Sequence, residues 1–215
     1  MKLRTIFYSF IHAAILVAVL AAVSTGQSTT PPPGVEQIDL SDWVKENSKL
    51  GDTAFRAGKF YMRAKWPDRY YYVLVAPEDY SSVGRSTRVT LQNARGLPTQ
   101  QGYGLVFHSS PEPLVQDYAF LIDTVTRRYR VVRHKSNNEV RVIKWTRSAF
   151  IKPGKRWNLL EVRDRGSHVD LYINRRFLRS IRTPFAYKGG QPGLYTDSTP
   201  IAFKDFNLTA SDGVR

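Results

Sequence analysis

The sequence predicts an all-β protein built as an antiparallel β-sandwich, and three observations carry that expectation. Between Gly102 and Leu208, short apolar and aromatic runs recur, each closed by a turn signal. The runs are about 5 residues long and return every ~8 to 12 residues, the rhythm of a sandwich or barrel. No helical period in the stretch is long enough to compete.

At 215 residues the chain suits one such domain, residues 37–211, behind an N-terminal address, since a β-sandwich can reach ~200 residues as one unit. Residues 1–26 have the order of a secretory signal. Lys2 and Arg4 supply positive charge, Ala13 to Val23 are apolar, and Ala22, Ser24 and Gly26 are the small residues a cleavage site needs. The alternative is an uncleaved anchor: Ile6 to Val23 is about 18 residues, near the lower limit for a span, although Ser9 and His12 interrupt it. Both readings export the domain, to the outside or to the cell envelope. Residues 27–36 form a linker whose Pro31-Pro32-Pro33 favours an extended spacer.

Inside the domain, a short helix is expected to begin the stretch from Asp39 to Leu50, capped by Ser41 or Asp42, with Trp43 and Val44 docked on the sheet. Lys59–Ala64 and Tyr70–Val75 read as strands joined through Trp66-Pro67-Asp68. Tyr70, Tyr71 and Tyr72 cannot all face one side of a strand, so part of this ring surface must lie away from the core. Arg88–Gln92 alternates Val89 and Leu91 with polar neighbours. Further strands follow at 102–107, 118–122, 129–133, 140–145, 158–162, 169–174 and 177–181. Pro153-Gly154, Arg165-Gly166-Ser167, Asn174-Arg175-Arg176 and Pro192-Gly193 are the turn signals between and after them. Val169, Leu171 and Ile173 share one face of their strand, leaving Asp170 and Tyr172 on a more polar one.

Composition narrows the function classes. Cysteine is absent, which excludes a disulfide framework, a thiol nucleophile and a cysteine zinc site. An exported chain without cysteine leans bacterial, and its 13% aromatic residues can build a core without staples. The formal net charge of +14 favours encounter with anionic partners such as acidic polysaccharide or an envelope surface. Nucleic acid is disfavoured by export and by the lack of an arginine-rich tail or nucleic-acid module.

Gly102-Tyr103-Gly104-Leu105-Val106-Phe107, Asp117-Tyr118-x-Phe120-x-Ile122, Tyr129 with Arg133, and Trp145-x-x-Ser148-x-x-Ile151 then stand in a recognisable order. Gly154, Asn158-x-Leu160, Leu171-Tyr172-Ile173-Asn174 and Gly193-Leu194 complete it. The ordered set resembles the concanavalin A-like lectin/glucanase superfamily, in particular exported bacterial domains related to family 16 glycoside hydrolases and 3-keto-disaccharide hydrolases. The resemblance covers about half of the chain and implies a jelly roll of two curved antiparallel sheets that binds sugar on the concave face or its rim. One departure is Arg175, where the family usually has glycine. The turn is then longer, or Asn174 itself is left-handed.

Catalysis finds no motif. Retaining glycosidases need carboxyl groups about 5 to 5.5 Å apart, and the catalytic family 16 members carry them in a Glu-x-Asp-x-x-Glu strand that this chain lacks. Gln37-Ile38-Asp39-Leu40 matches only its start. Glu78, Asp79, Glu112, Asp117 and Asp123 lie near loops and are left to meet in space. His108, His134 and His168 show no metal-ligand spacing. A lyase of acidic sugars would instead gather a Tyr or His base with Arg and Gln.

The expected function is therefore non-catalytic, lectin-like carbohydrate binding, extending to an acidic glycan. Trp145 is the candidate for stacking, Arg133 and Arg147 are the candidates for anionic or hydroxyl groups, and no catalytic residue, metal or cofactor is implied. A glycoside hydrolase or polysaccharide lyase, and an envelope protein-interaction module, are the alternatives.

Overall fold

The computed structural model of the protein describes residues 34–46, 48–66, 71–184, 190–197 and 199–210. Residues 1–33, which hold the expected signal and most of the expected linker, and Pro67, Asp68 and Tyr70 lie outside the described residues.

Alternating side chains form two antiparallel sheets. One runs in the order β12 (Arg176–Ile181), β11 (Val169–Ile173), β10 (Asn158–Asp164), β5 (Arg85–Asn93), β14 (Ile201–Ala210), β3 (Lys59–Ala64) and β2 (Gly51–Arg56), with β1 (Val35–Gln37) paired to β14. The other runs β4 (Tyr72–Val75), β13 (Gln191–Thr196), β6 (Tyr103–Ser109), β7 (Gln116–Asp123), β8 (Arg128–Lys135) and β9 (Asn138–Arg147). The eight-stranded sheet turns Phe60, Leu91, Leu160, Leu171 and Phe203 inward, and the six-stranded sheet answers with Tyr103, Leu105, Phe107, Phe120 and Val131. All ten are fully buried.

Local sequence explains several departures from plain alternation. In β14, Phe203 and Phe206 are three apart yet both fully buried. The register slips between Lys204 and Asn207, and Asp205 takes a φ of 52°. This bulge turns both rings to the core. In β13, Pro192-Gly193 was expected to mark a turn and instead sits in a strand between two neighbours. The register shifts between Gln191 and Gly193, and such a bulge is where proline is tolerated within a sheet. The Pro192 carbonyl still accepts the Ala76 amide at 2.9 Å.

The expected helix is a single 3-10 turn, Ser41–Trp43. Neither Ser41 nor Asp42 caps it. Leu40 holds the N-cap position without a side-chain bond, while Asp39 Oδ1 accepts the Ser41 amide at 2.8 Å. Trp43 does dock, edge-on to Phe206 at 5.6 Å and Phe60 at 6.4 Å, whereas Val44 stays exposed. Val35 and Glu36, expected to end the linker, are instead sheet.

Asn174-Arg175 closes the β11–β12 hairpin as a two-residue turn, with Ile173 opposite Arg176. Both residues are left-handed, at φ 51° and 66°, the type I′ geometry that suits the twist of the flanking strands. Asn174 is anchored: its Oδ1 accepts the Leu159 amide at 3.0 Å and its Nδ2 donates to the Phe150 carbonyl at 2.7 Å. Arg175 pays for the same conformation without such bonds from its side chain to the hairpin. Arg175→Gly is expected to stabilise the fold by about 0.5–1 kcal/mol, since relief of left-handed strain outweighs the extra entropy of glycine. The midpoint of a urea titration checks it.

Candidate functional site

The six-stranded sheet buries its second face as well. Val106, Ala119, Leu121 and Val132 form an apolar floor there, flanked by Val73 and Tyr195, with Tyr71, Val75 and Leu114 packed against it. Glycine makes the close fit at one edge: a Cβ on Gly193 would collide with the Leu74 carbonyl and sit 3.2 Å from Val106 Cβ.

On this floor three rings meet. Tyr71 stacks on Tyr195 with centroids 5.0 Å apart and approaches His134 at 5.2 Å, and His134 lies 6.2 Å from Tyr195. The expected split of the tyrosine run is realised: Tyr72 enters the main core and Tyr71 turns to the opposite face. His134 Nδ1 and Asp117 Oδ1 are 2.5 Å apart, and neither side chain has exposed surface. Glu139 Oε2 stands 3.8 Å from His134 Nε2, an ion pair rather than a hydrogen bond. Arg130 grips both Glu139 oxygens, at 2.8 and 3.1 Å. It also donates to the Gln101 carbonyl at 3.0 Å and to Gln101 Oε1 at 2.8 Å. Its guanidinium lies 5.2 Å from the Trp145 ring centroid. The result is one chain of paired charges, Asp117, His134, Glu139 and Arg130, ending against an indole.

Burial opposes a charge on His134, but hydrogen bonding and the charges of Asp117 and Glu139 outweigh it and raise the imidazole to about 9. Burial likewise works against an ionised Glu139, and the cations of His134 and Arg130 hold it below the usual carboxylate range. Burial pushes the Tyr71 hydroxyl up to about 12, helped by Glu139 and Asp117. Burial also drives Tyr195 well above the ordinary tyrosine value, and its hydroxyl has no hydrogen-bond partner among the described residues.

The residues singled out from sequence divide between the two faces of this sheet. Trp145 stands at the site, half-buried, its ring over Gly102, where a Cβ would meet Trp145 Cη2 at 2.8 Å. Arg147 follows two residues later on the same face of β9 and is exposed. Arg133 pairs in register with the core residue Tyr118. It therefore lies on the opposite face of β8 from Arg130 and His134 and does not join Trp145. The residues missed were Tyr195, Gln101, Arg130, His134 and Glu139, drawn from four separate segments. Arg141, opposite Val132 and exposed, adds a cation to this face.

The acidic residues left to meet in space do not gather around Trp145. Asp117 belongs to His134, and Asp123 caps a turn through the Val125 amide at 2.9 Å and the Thr126 hydroxyl at 2.7 Å. Glu78 and Asp79 instead line a cleft of about 480 Å³ with Asp39, Asp42, Trp43 and Tyr80. His108 is a second buried histidine, bound to Asp164 at 3.1 Å, and it ties the six-stranded sheet to the β10–β11 hairpin. His168 is exposed.

No family model matches the chain, and no curated protein matches it in sequence. Solved structures match in shape. A carbohydrate-binding module, CBM66, from Bacillus subtilis superposes with a TM-score of 0.51 at 13% identity, covering 82% of this chain and 95% of the module. A Bacillus subtilis protein with a galectin-like fold gives 0.55 at 11% identity over 75% of this chain and 86% of its own. Human galectin-16 gives 0.50 at 9% identity over 65% and 94%.

The buried ion pairs make stability depend on pH. His134 is raised in the folded state, so its contribution is complete below about 6.5, the unfolded value, and is lost as pH rises through about 9. Glu139 is lowered, so its contribution is present above about 4.5 and is lost as pH falls. Stability is expected to peak between these limits and to fall by an amount on the order of 3 kcal/mol toward alkaline pH. Urea midpoints across this range check it, and a His134→Gln variant should lose the alkaline slope. Together the two sheets, their order and these superpositions give the chain the concanavalin A-like jelly-roll fold.

Proposed function

We propose that this domain binds carbohydrate, without catalysis, on the second face of its six-stranded sheet, and that its preferred ligand is an acidic glycan displayed outside the cell or on the envelope. The supporting observation is the juxtaposition of Trp145 and Tyr71, both partly open, with Arg130, Arg141 and Arg147 on one face. Rings offer apolar surface to sugar C–H groups, and guanidinium forks suit carboxylates. Among the described residues, neither Arg141 nor Arg147 is engaged by a carboxylate. The resemblance in fold to a carbohydrate-binding module and to galectins agrees with this reading.

The buried groups support binding rather than turnover. His134 and Tyr195 have no exposed surface, and Arg130 is committed to Glu139 and Gln101. They shape and charge the floor while the partly open groups around them make contact. A lyase of the same fold is the second reading, because Tyr71, His134, Arg130 and Gln101 do converge on one face, as proton abstraction beside a neutralised uronate requires.

Calorimetry with an oligogalacturonide trimer and a panel of neutral oligosaccharides tests both. The acidic trimer is expected to bind, more weakly as salt rises. Trp145→Ala and Arg141→Gln should each weaken it about tenfold, the loss of one stacked ring or one charge-assisted contact. Absence of binding to any acidic or neutral sugar at low salt would sink the proposal. Growth of unsaturated-uronate absorbance on incubation would favour the lyase.

A further inference from the structure

The outer face of the eight-stranded sheet carries a second basic surface, distant from the site just described. Arg56 lies directly opposite Lys59 across β2 and β3. Phe203 pairs with Phe60, so one more step of the same register brings Lys204 beside Lys59. Three cations thus stand in a row on adjacent strands, where like charges directly opposite one another destabilise a sheet. Two aromatic rings hold them there. Lys59 Nζ and Lys204 Nζ lie 5.7 and 5.2 Å from the centroid of Trp157, and Arg56 lies 5.0 Å from that of Tyr61.

The loop that delivers Trp157 is tied down by hydrogen bonds and adds charge of its own. Asn158 bonds the Lys152 amide at 2.8 Å, the Lys152 carbonyl at 3.0 Å and the Arg156 carbonyl at 3.1 Å. Gln92 on β5 donates to the Lys155 carbonyl at 2.6 Å. Lys155 and Arg156 are both exposed. Among the described residues, Arg56, Lys59, Lys155 and Arg156 pair with no carboxylate, and Lys204 has only the exposed Asp205 at 3.5 Å. An exposed pair of that kind contributes little.

We infer that this surface is a binding site for an acidic polysaccharide laid across strands β2, β3 and β14. Neighbouring strands are about 4.8 Å apart, comparable with the length of one sugar residue, so the row presents one cation per residue of a chain bearing one anionic group per sugar. Duplex DNA presents a charge every ~1.7 Å of axis, far denser than the row. Single-stranded nucleic acid would need open rings for its bases, and both ammonium groups already occupy Trp157. The ring's part is to hold two like charges ready for an anion.

The test uses polygalacturonate, with dextran and a duplex DNA oligomer as comparators, and the variants Lys59→Gln/Lys204→Gln and Arg141→Gln/Arg147→Gln. The wild-type protein is expected to bind polygalacturonate at low salt and not dextran. Introduced into the Arg141→Gln/Arg147→Gln protein, which lacks the uncommitted cations of the other face, the lysine double variant should lose about tenfold in affinity and about 2 from the slope of log affinity against log salt, with an unchanged melting temperature. An undiminished affinity in that variant overturns the inference, as does duplex DNA bound as tightly as polygalacturonate at equal salt. Loss confined to the arginine double variant overturns it too, since the polymer would then belong to the six-stranded face alone. Failure of the wild-type protein to bind polygalacturonate at low salt has the same consequence.

Discussion

Strands β6, β7 and β13 leave almost no side chain in water, so the six-stranded sheet has to satisfy two interiors at once. Its inner face does this with an aromatic layer against the other sheet, where Phe107 stacks on Tyr118 at 5.5 Å and Tyr129 meets Phe120 edge-on. The second face starts as an apolar floor and becomes polar at β8 and β9, where burial permits charge only in pairs. That requirement links Asp117 to His134, His134 to Glu139, and Glu139 to Arg130. Removing one member would strand its neighbour, a loss of about 3–5 kcal/mol for a buried pair. The site is a by-product of solving the burial problem, which explains why its most perturbed groups are also its least accessible.

The strands were legible because their residues alternate, and the turns because their chemistry is local. Asn174 announced its left-handed turn even with Arg175 in place of glycine, since the side chain of Asn174 supplies the bonds that hold it. Two signals misled for definite reasons. Pro192-Gly193 has the composition of a turn, but a bulge lets the proline stay within β13. Phe206 breaks period 2, and only the bulge at Asp205 returns it to the core. The site was harder to see. Its parts are Tyr71, Gln101, Asp117, Arg130, His134, Glu139 and Tyr195, and no two belong to a motif. The β7–β8 register sets Asp117 against His134 across 17 positions of chain. The triple tyrosine was the one local clue, since a strand must turn one of those rings away from the core.

Basic residues do two different jobs in this chain, and net charge alone hides the distinction. At one end of the eight-stranded sheet, Glu161 is buried and draws Arg163 to 2.6 Å and Arg88 to 3.2 Å, with Ser86 as a further donor at 2.8 Å. Burial resists its ionisation, and these partners nevertheless hold it below the usual carboxylate range. Arg163 also lies 4.2 Å from the Tyr172 ring centroid. Those arginines are consumed by the fold, as Arg130 is on the other sheet. Arg56, Lys59, Lys155 and Arg156 are not, and neither are Arg141 and Arg147.

The uncommitted cations sit on the two outward faces of the sandwich. Packed sheets are about 10 Å apart, and side chains standing outward on both sides widen the gap further. The Debye length at physiological ionic strength is about 8 Å, so each face attracts anions almost independently of the other. Occupation of one face therefore does little to repel a second acidic chain from the opposite one. A single long polymer reaching both faces would gain from the raised effective concentration of its second contact, whereas two shorter chains would be joined through the domain. Which of these occurs depends on the length and stiffness of the polymer, because the two faces of a rigid sandwich cannot move toward each other.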